Sequence, residues 1–256
     1  MNRQSDNNAP GTGLHGVRND SGSIIISVHL PKTAGTSLMV SLEEHFGPSL
    51  LKDFADYPIN NPAHLRNRHA HEQSVLNAGK DYAGINCIHG HFLPAKYLLL
   101  GEKRKTVFIT WLRNPVERVL SHYYFWKNTY SPLNPPPLHR RVVEEDWSLE
   151  RFCLGPEVRN LYAQFMWGFP LAYFDFVGIT EFFAEDLAYF SHEFLGSTLA
   201  AKKTNVGQNK GGSYDIDIAL RKKIEEHHSV DMLIYNRSVE RRMERAARIQ
   251  GGGSMP

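Results

Sequence analysis

The chain of 256 residues carries 29 Lys and Arg against 27 Asp and Glu, a formal net charge of +2. That balance excludes the broad basic footprint of a nucleic-acid binder but leaves room for a local anion site. Hydrophobic residues make up 41%, ordinary for one medium-sized α/β domain, and no apolar run approaches the roughly 18 residues that cross a bilayer.

Residues 1–22 are polar and rich in Gly and Asn, without the basic-then-apolar pattern of a secretory signal. They are expected to form a loose tail, as are 249–256, leaving one domain over 23–248. Two cysteines, Cys87 and Cys153, exclude a disulfide scaffold and read as core side chains in a reduced compartment. Ile24 to Leu30 is a β-branched strand, and Thr36 to Phe46 an amphipathic helix ended by Gly47-Pro48. Residues 48–83 read as short helices and loops. Ile85 to Ile88 is a short strand leading into His89-Gly90-His91, and "TVFITWL" (106–112) is a further strand. Asn114-Pro115-Val116-Glu117 is a helix start, with Asn as cap, Pro at the first position and Glu three after the cap. This helix runs to about Trp126. The proline-rich stretch 128–147 predicts a loop or lid with no regular element. Residues 149–167 read as helix split at Gly155-Pro156, 174–180 as strand and 181–195 as helix. A polar Gly-rich loop (204–213) precedes a C-terminal helix from about Ile216. Alternating strands and helices predict a mainly parallel sheet covered by helices on both faces, with ligands at the carboxyl ends of its strands.

Three loops at such ends carry chemistry. In Pro31-Lys32-Thr33-Ala34-Gly35-Thr36-Ser37 a strand turns into a helix. The first N–H groups of a helix are unpaired and bear partial positive charge. Gly35 lets backbone come close, Lys32 adds a full charge, and Thr33, Thr36 and Ser37 add hydroxyls, so the loop forms a phosphate or sulfate cradle. It departs from G-x-x-x-x-G-K-[ST], because the leading Gly is missing and Lys precedes the Gly. The second loop holds Arg113, with Ser121 two turns along the following helix. A guanidinium fork and a hydroxyl placed so could converge on one phosphate. A triphosphatase would offer an acid there for magnesium, whereas Arg binds an anion directly. The third loop, His89-Gly90-His91, offers imidazoles suited to general base catalysis; the alternative is a pair of loop histidines bonded to backbone. His69-Ala70-His71-Glu72 has neither the spacing nor the partner ligands of a metal site. Tyr123, Tyr124, Phe125 and Trp126 could wall an acceptor site or belong to the core, and Asn160 and Gln164 could approach it.

"HLPKTAGTSL" together with "LRNPVERVLSHYYF" resembles the sulfotransferases that use 3′-phosphoadenosine 5′-phosphosulfate (PAPS). "PKTAGTS", "IHGHF" and "FDFVGITEFFAEDLAYF" are similar to the carbohydrate branch that includes heparan sulfate 2-O-sulfotransferases. The resemblance covers residues 24–46, 85–125 and 174–210, and implies a P-loop-like α/β fold. It implies that Lys32, Thr33, Ala34, Gly35, Thr36 and Ser37 hold the 5′-phosphosulfate and that Arg113 and Ser121 hold the 3′-phosphate. It makes His91 the base with His89 supporting it, Lys32 the stabiliser of the departing oxygen, and Lys203, Asn205 and Gly207 part of a loop over the nucleotide; a solvated loop is the alternative for those three. Residues 126–170, outside the resemblance, would carry acceptor specificity. The family needs no metal. Its Golgi members carry a membrane anchor that this sequence lacks, so a cytoplasmic enzyme acting on a carbohydrate or small-molecule hydroxyl is expected. The rivals are an ATP-dependent small-molecule kinase and a non-catalytic nucleotide- or glycan-binding relative.

Overall fold

The computed structural model describes residues 22–56, 58–199 and 213–251. The β-branched run forms β1 (Ile24–Val28), buried throughout. α1 (Gly35–Phe46) follows the loop and ends where Gly47 takes a φ of 48°. β2 (Leu50–Asp53) and α2 (Ala63–Gly79) fill the stretch that the sequence reads as short helices and loops. Both are quiet in sequence for a physical reason. β2 is a short edge strand with no fully buried residue, and α2 buries only Ala70, Ser74 and Asn77, so it has no apolar stripe.

β3 (Cys87–Gly90) starts later than the sequence suggests and takes His89 into the sheet. β4 (Thr106–Leu112) has the expected bounds, and α3 (Pro115–Thr129) starts as expected. Asn114 Oδ1 accepts from the N–H groups of Val116 and Glu117, at 3.0 and 3.3 Å. The return half of the capping box comes from elsewhere: the Asn114 N–H donates to Glu181 Oε1 at 2.8 Å. Glu117 instead accepts from Ser213 Oγ and the Tyr214 N–H.

The expectation of no regular element over 128–147 is corrected by α4 (Pro137–Glu144). Its first residue is the last proline of the run, a position where the missing N–H costs nothing and the fixed φ suits a helix. α4 then buries Leu138, His139 and Val142 beside Trp126 and Phe152. Gly155-Pro156 does split the next segment, into α5 (Leu149–Cys153) and α6 (Leu161–Phe165). β5 (Phe176–Ile179) and α7 (Phe183–Leu195) follow. The single C-terminal helix expected is two, α8 (Ile218–His227) and α9 (Ser229–Gly251), and α9 passes the expected domain limit at residue 248.

The five strands are all parallel, in the order β2-β3-β1-β4-β5. Side chains of β1 alternate between two cores. Ile24, Ile26 and Val28 pack with Leu161 and Phe165 of α6 and Ile234 of α9, while Ile25 packs with Leu38 and Leu42 of α1 and Leu187 and Phe190 of α7. Helices therefore cover both faces, as parallel strands with two apolar sides require. Beyond β1 the chain leaves toward β2; beyond its neighbour β4 it leaves toward β5. The diverging connections open a crevice at the carboxyl ends of β1 and β4, the usual ligand position in such sheets. Among the described residues, no helix is long and apolar enough to cross a membrane.

Candidate active site

The loop after β1 is tightly wound. Lys32 and Ala34 both have positive φ, 69° and 63°. For residues with a Cβ this costs about 1–2 kcal/mol each, a strain that persists only where surroundings enforce it. Part of that enforcement is Thr33, which is buried and whose hydroxyl donates to the Leu30 carbonyl at 2.8 Å. Thr33 thus holds the loop with the proton that the sequence assigns to a ligand. Ala34 sits at the N-cap of α1 and supplies no side-chain cap, so the first N–H groups of α1 have no capping side chain and no acidic residue in the first turn. Thr36 is exposed at this end and Ser37 half-buried beside it.

Lys32 Nζ lies 3.8 Å from the centroid of the Phe125 ring. Burial and nearby Arg113 pull the Lys32 ammonium down to about 8. Arg113 is the residue just past β4, and its backbone is strapped on both sides by Tyr162 of α6. The Tyr162 hydroxyl donates to the Arg113 carbonyl at 2.5 Å and accepts from the Arg113 N–H at 3.0 Å. Among the described residues the guanidinium of Arg113 makes no ion pair. Ser121 is buried on α3, one turn before Phe125 and so on the stripe that faces Lys32. The same stripe carries Arg118, fully buried, whose three guanidinium nitrogens have no hydrogen-bond partner among the described residues. Lys32 and Arg113 concentrate positive charge around the crevice between β1 and β4, while Arg118 lies deeper, near Tyr162 and Asp231.

The register of β1 against β3 sets the histidines. Ser27 pairs with His89, and the His29 N–H donates to the Gly90 carbonyl at 2.9 Å, bringing His29 level with His91. Inside the sheet His89 is fully buried; its Nδ1 shares a hydrogen bond with Ser27 Oγ at 2.8 Å, and its Nε2 has no partner among the described residues. Burial, then His91 and Lys52, push it down to about 3, so it is a neutral core group. His91 is half-buried at the strand end. Its Nδ1 lies 2.6 Å from the His29 carbonyl oxygen, which can only accept, so Nδ1 carries the proton and Nε2 the lone pair. Burial lowers its pKa, and the bond to His29 opposes that shift. The His29 ring stacks on His91 with centroids 4.3 Å apart, and Phe54, just past β2, closes the side edge-on at 5.1 Å from His91.

The sheet thus brings together Lys32, the α1 N-terminus, Arg113 and His91 on three neighbouring strands. Of the four aromatics after Ser121, Phe125 faces Lys32, Tyr124 stacks on Tyr214, and Tyr123 and Trp126 pack toward Trp147 and Phe152. Asn160 and Gln164 do not join the site: Asn160 Oδ1 accepts from the Asp231 N–H, and Gln164 donates to the Arg159 carbonyl. Lys203, Asn205 and Gly207 lie outside the described residues. Sequence reading missed His29, Phe54 and Tyr162. His29 had a signal: two residues beyond Ser27, as His91 is two beyond His89, it shares a face with them once β1 and β3 pair in register. No protein-family model matches this chain, and no curated protein matches it.

Proposed function

We propose that the chain is a sulfotransferase that moves a sulfuryl group from PAPS to an acceptor hydroxyl, on a carbohydrate by resemblance of its motifs. The observation that carries this reading is the pair Lys32 and Arg113, two cations in the loops after adjacent strands, where burial first and Arg113 second hold Lys32 down and, among the described residues, neither forms an ion pair with a carboxylate. Partly buried like charges side by side call for an anion. A donor with a 5′-phosphosulfate on the α1 N-terminus and a 3′-phosphate at Arg113 and Ser121 supplies two.

In the proposed reaction His91 Nε2 removes the acceptor proton as the acceptor oxygen forms a bond to sulfur. The bond from sulfur to the 5′-phosphate oxygen breaks, and its electron pair stays on adenosine 3′,5′-bisphosphate. Lys32 and the loop N–H groups stabilise that oxygen, an effect of the kind worth roughly 3–4 kcal/mol. The chain contributes the base, the cations and the cradle, and the scheme asks for no metal. A cytoplasmic setting belongs to the same reading and is supported by two free, buried cysteines. The test is transfer of label from sulfur-labelled PAPS, against terminally labelled ATP with magnesium, to a panel of sugars, phenols and oligosaccharides. Sulfur transfer lost in His91→Ala supports the reading; phosphoryl transfer from ATP overturns it.

A further inference from the structure

The His29 ring lies between Gly35, at the start of α1, and the ring of His91. A Cβ built on Gly35 would lie 1.6 Å from His29 Nε2 and 1.9 Å from Cε1. Gly35 has no positive φ, so its backbone accepts an L-residue, and the three atoms nearest to such a Cβ all belong to the His29 imidazole. The ring cannot swing aside, because His91 stacks on it at 4.3 Å, His89 lies at 5.2 Å and Phe54 stands edge-on at 6.2 Å. Its Nδ1 is buried with no hydrogen-bond partner among the described residues. Its own backbone carbonyl holds His91 Nδ1.

We propose that His29 is a positioning residue: its ring is a wedge between the first residue of α1 and the base His91, so that the anion loop and the base keep one fixed spacing. This rests on the role given to His91 above. Sulfuryl transfer needs attacking and leaving oxygens in line through sulfur, and a misplacement of about 1 Å costs on the order of 10²-fold. A flat ring seated on a glycine at one face and an imidazole at the other sets that distance directly.

The test is a double-mutant cycle with Gly35→Ala, His29→Ala and the pair. Three readings are taken: the thermal midpoint, the nitrogen resonances of His91 against pH, and kcat with KM for the donor. The titratable groups near His91 are His29 just past β1, His89 on β3 and His122 on α3. The wedge predicts that Gly35→Ala alone lowers the midpoint, and that the same Cβ is tolerated once the ring is gone. It predicts that His29→Ala cuts kcat about 10²-fold with donor KM within a few-fold. It also predicts that His91, less shielded, titrates closer to 6.5, moving the rising limb of the pH profile to higher pH. An additive cycle, or an unmoved His91 titration, overturns the proposal. If His29→Ala does not fold, His29→Val, shorter than the ring and suited to a strand end, takes its place. The midpoint and resonance arms need no donor. A chain that binds no PAPS product but shows the rescue would overturn the sulfotransferase reading while keeping the wedge.

Discussion

The imidazole of His91 donates from Nδ1 to the carbonyl oxygen of His29 across 2.6 Å. That one bond decides which nitrogen is available for chemistry, since the other must then carry the lone pair. His91→Gln is expected to lower kcat by about 10²–10⁴-fold, the usual contribution of a general base. Adenosine 3′,5′-bisphosphate should bind this variant as it binds the parent. His89→Gln should leave the pH profile in place, because His89 is neutral and enclosed. Steady-state kinetics across pH 5 to 9 check both; a pH limb that follows His89 instead would contradict the assignment.

Lys32 is held at about 8 by burial and by Arg113. The sign follows from linkage. A cation depressed in the folded state is penalised once protonated, so stability is lost as pH falls from its ordinary value near 10.5 through 8. An anion bound beside it reverses the shift and draws a proton onto the amine. Between pH 8 and 9, bisphosphate binding should therefore take up protons, read by calorimetry in two buffers of different ionisation enthalpy. Lys32→Met should abolish that uptake. Equal proton uptake in Lys32→Met would show that the titrating group is another.

Gly90 separates the two histidines for a reason unrelated to catalysis. A Cβ there would lie 1.6 Å from the Asp53 carbonyl oxygen, in the backbone of β2. Backbone cannot rotate away as a side chain can, so Gly90→Ala must part β2 from β3. An overpacking cost of about 1–3 kcal/mol or more is expected. Urea unfolding measures it, and an unchanged midpoint would count against the β2–β3 pairing.

Much of this was legible in the sequence. The loop after β1, the start of α3 and the strand "TVFITWL" were clear, because each rests on local chemistry: a β-branched run, an Asn-Pro start, a Lys, a Gly and hydroxyls within one short loop. β2 and α2 were not, because an edge strand and a helix with three buried residues carry almost no periodicity. α4 was hidden by its own prolines, although a proline at the first position favours a helix. At the candidate site the sequence named Lys32, Arg113 and His91 but missed His29 and Tyr162, whose placement depends on strand register and on a hydroxyl arriving from α6. Thr33 was read as a ligand donor, yet its hydroxyl proton goes to the Leu30 carbonyl.

Acid should weaken the fold through its histidines. His89 and His228 are pushed down to about 3, and His29, His91 and His122 lie below the ordinary 6.5, burial being the first cause in each case. The unfolded chain takes up these protons and the folded one does not, so stability falls as pH drops from 6.5 toward 3. Each such group contributes at most about 1.4 kcal/mol per pH unit. The thermal midpoint should decline steeply below pH 6, and a flat profile down to pH 4 would contradict the burial of the stack.

In the proposed function the crevice between β1 and β4 holds a nucleotide with a second, 3′ anion. Titration of the chain in EDTA with adenosine 3′,5′-bisphosphate, and separately with ATP, tests it by calorimetry. Binding of the bisphosphate without metal is expected, weakened tenfold or more in Arg113→Ala and in Ser121→Ala, as loss of a charge-assisted contact worth about 1.5–3 kcal/mol requires. Indifference to the bisphosphate, with ATP bound only when magnesium is restored, would contradict it and make the kinase reading the one to pursue.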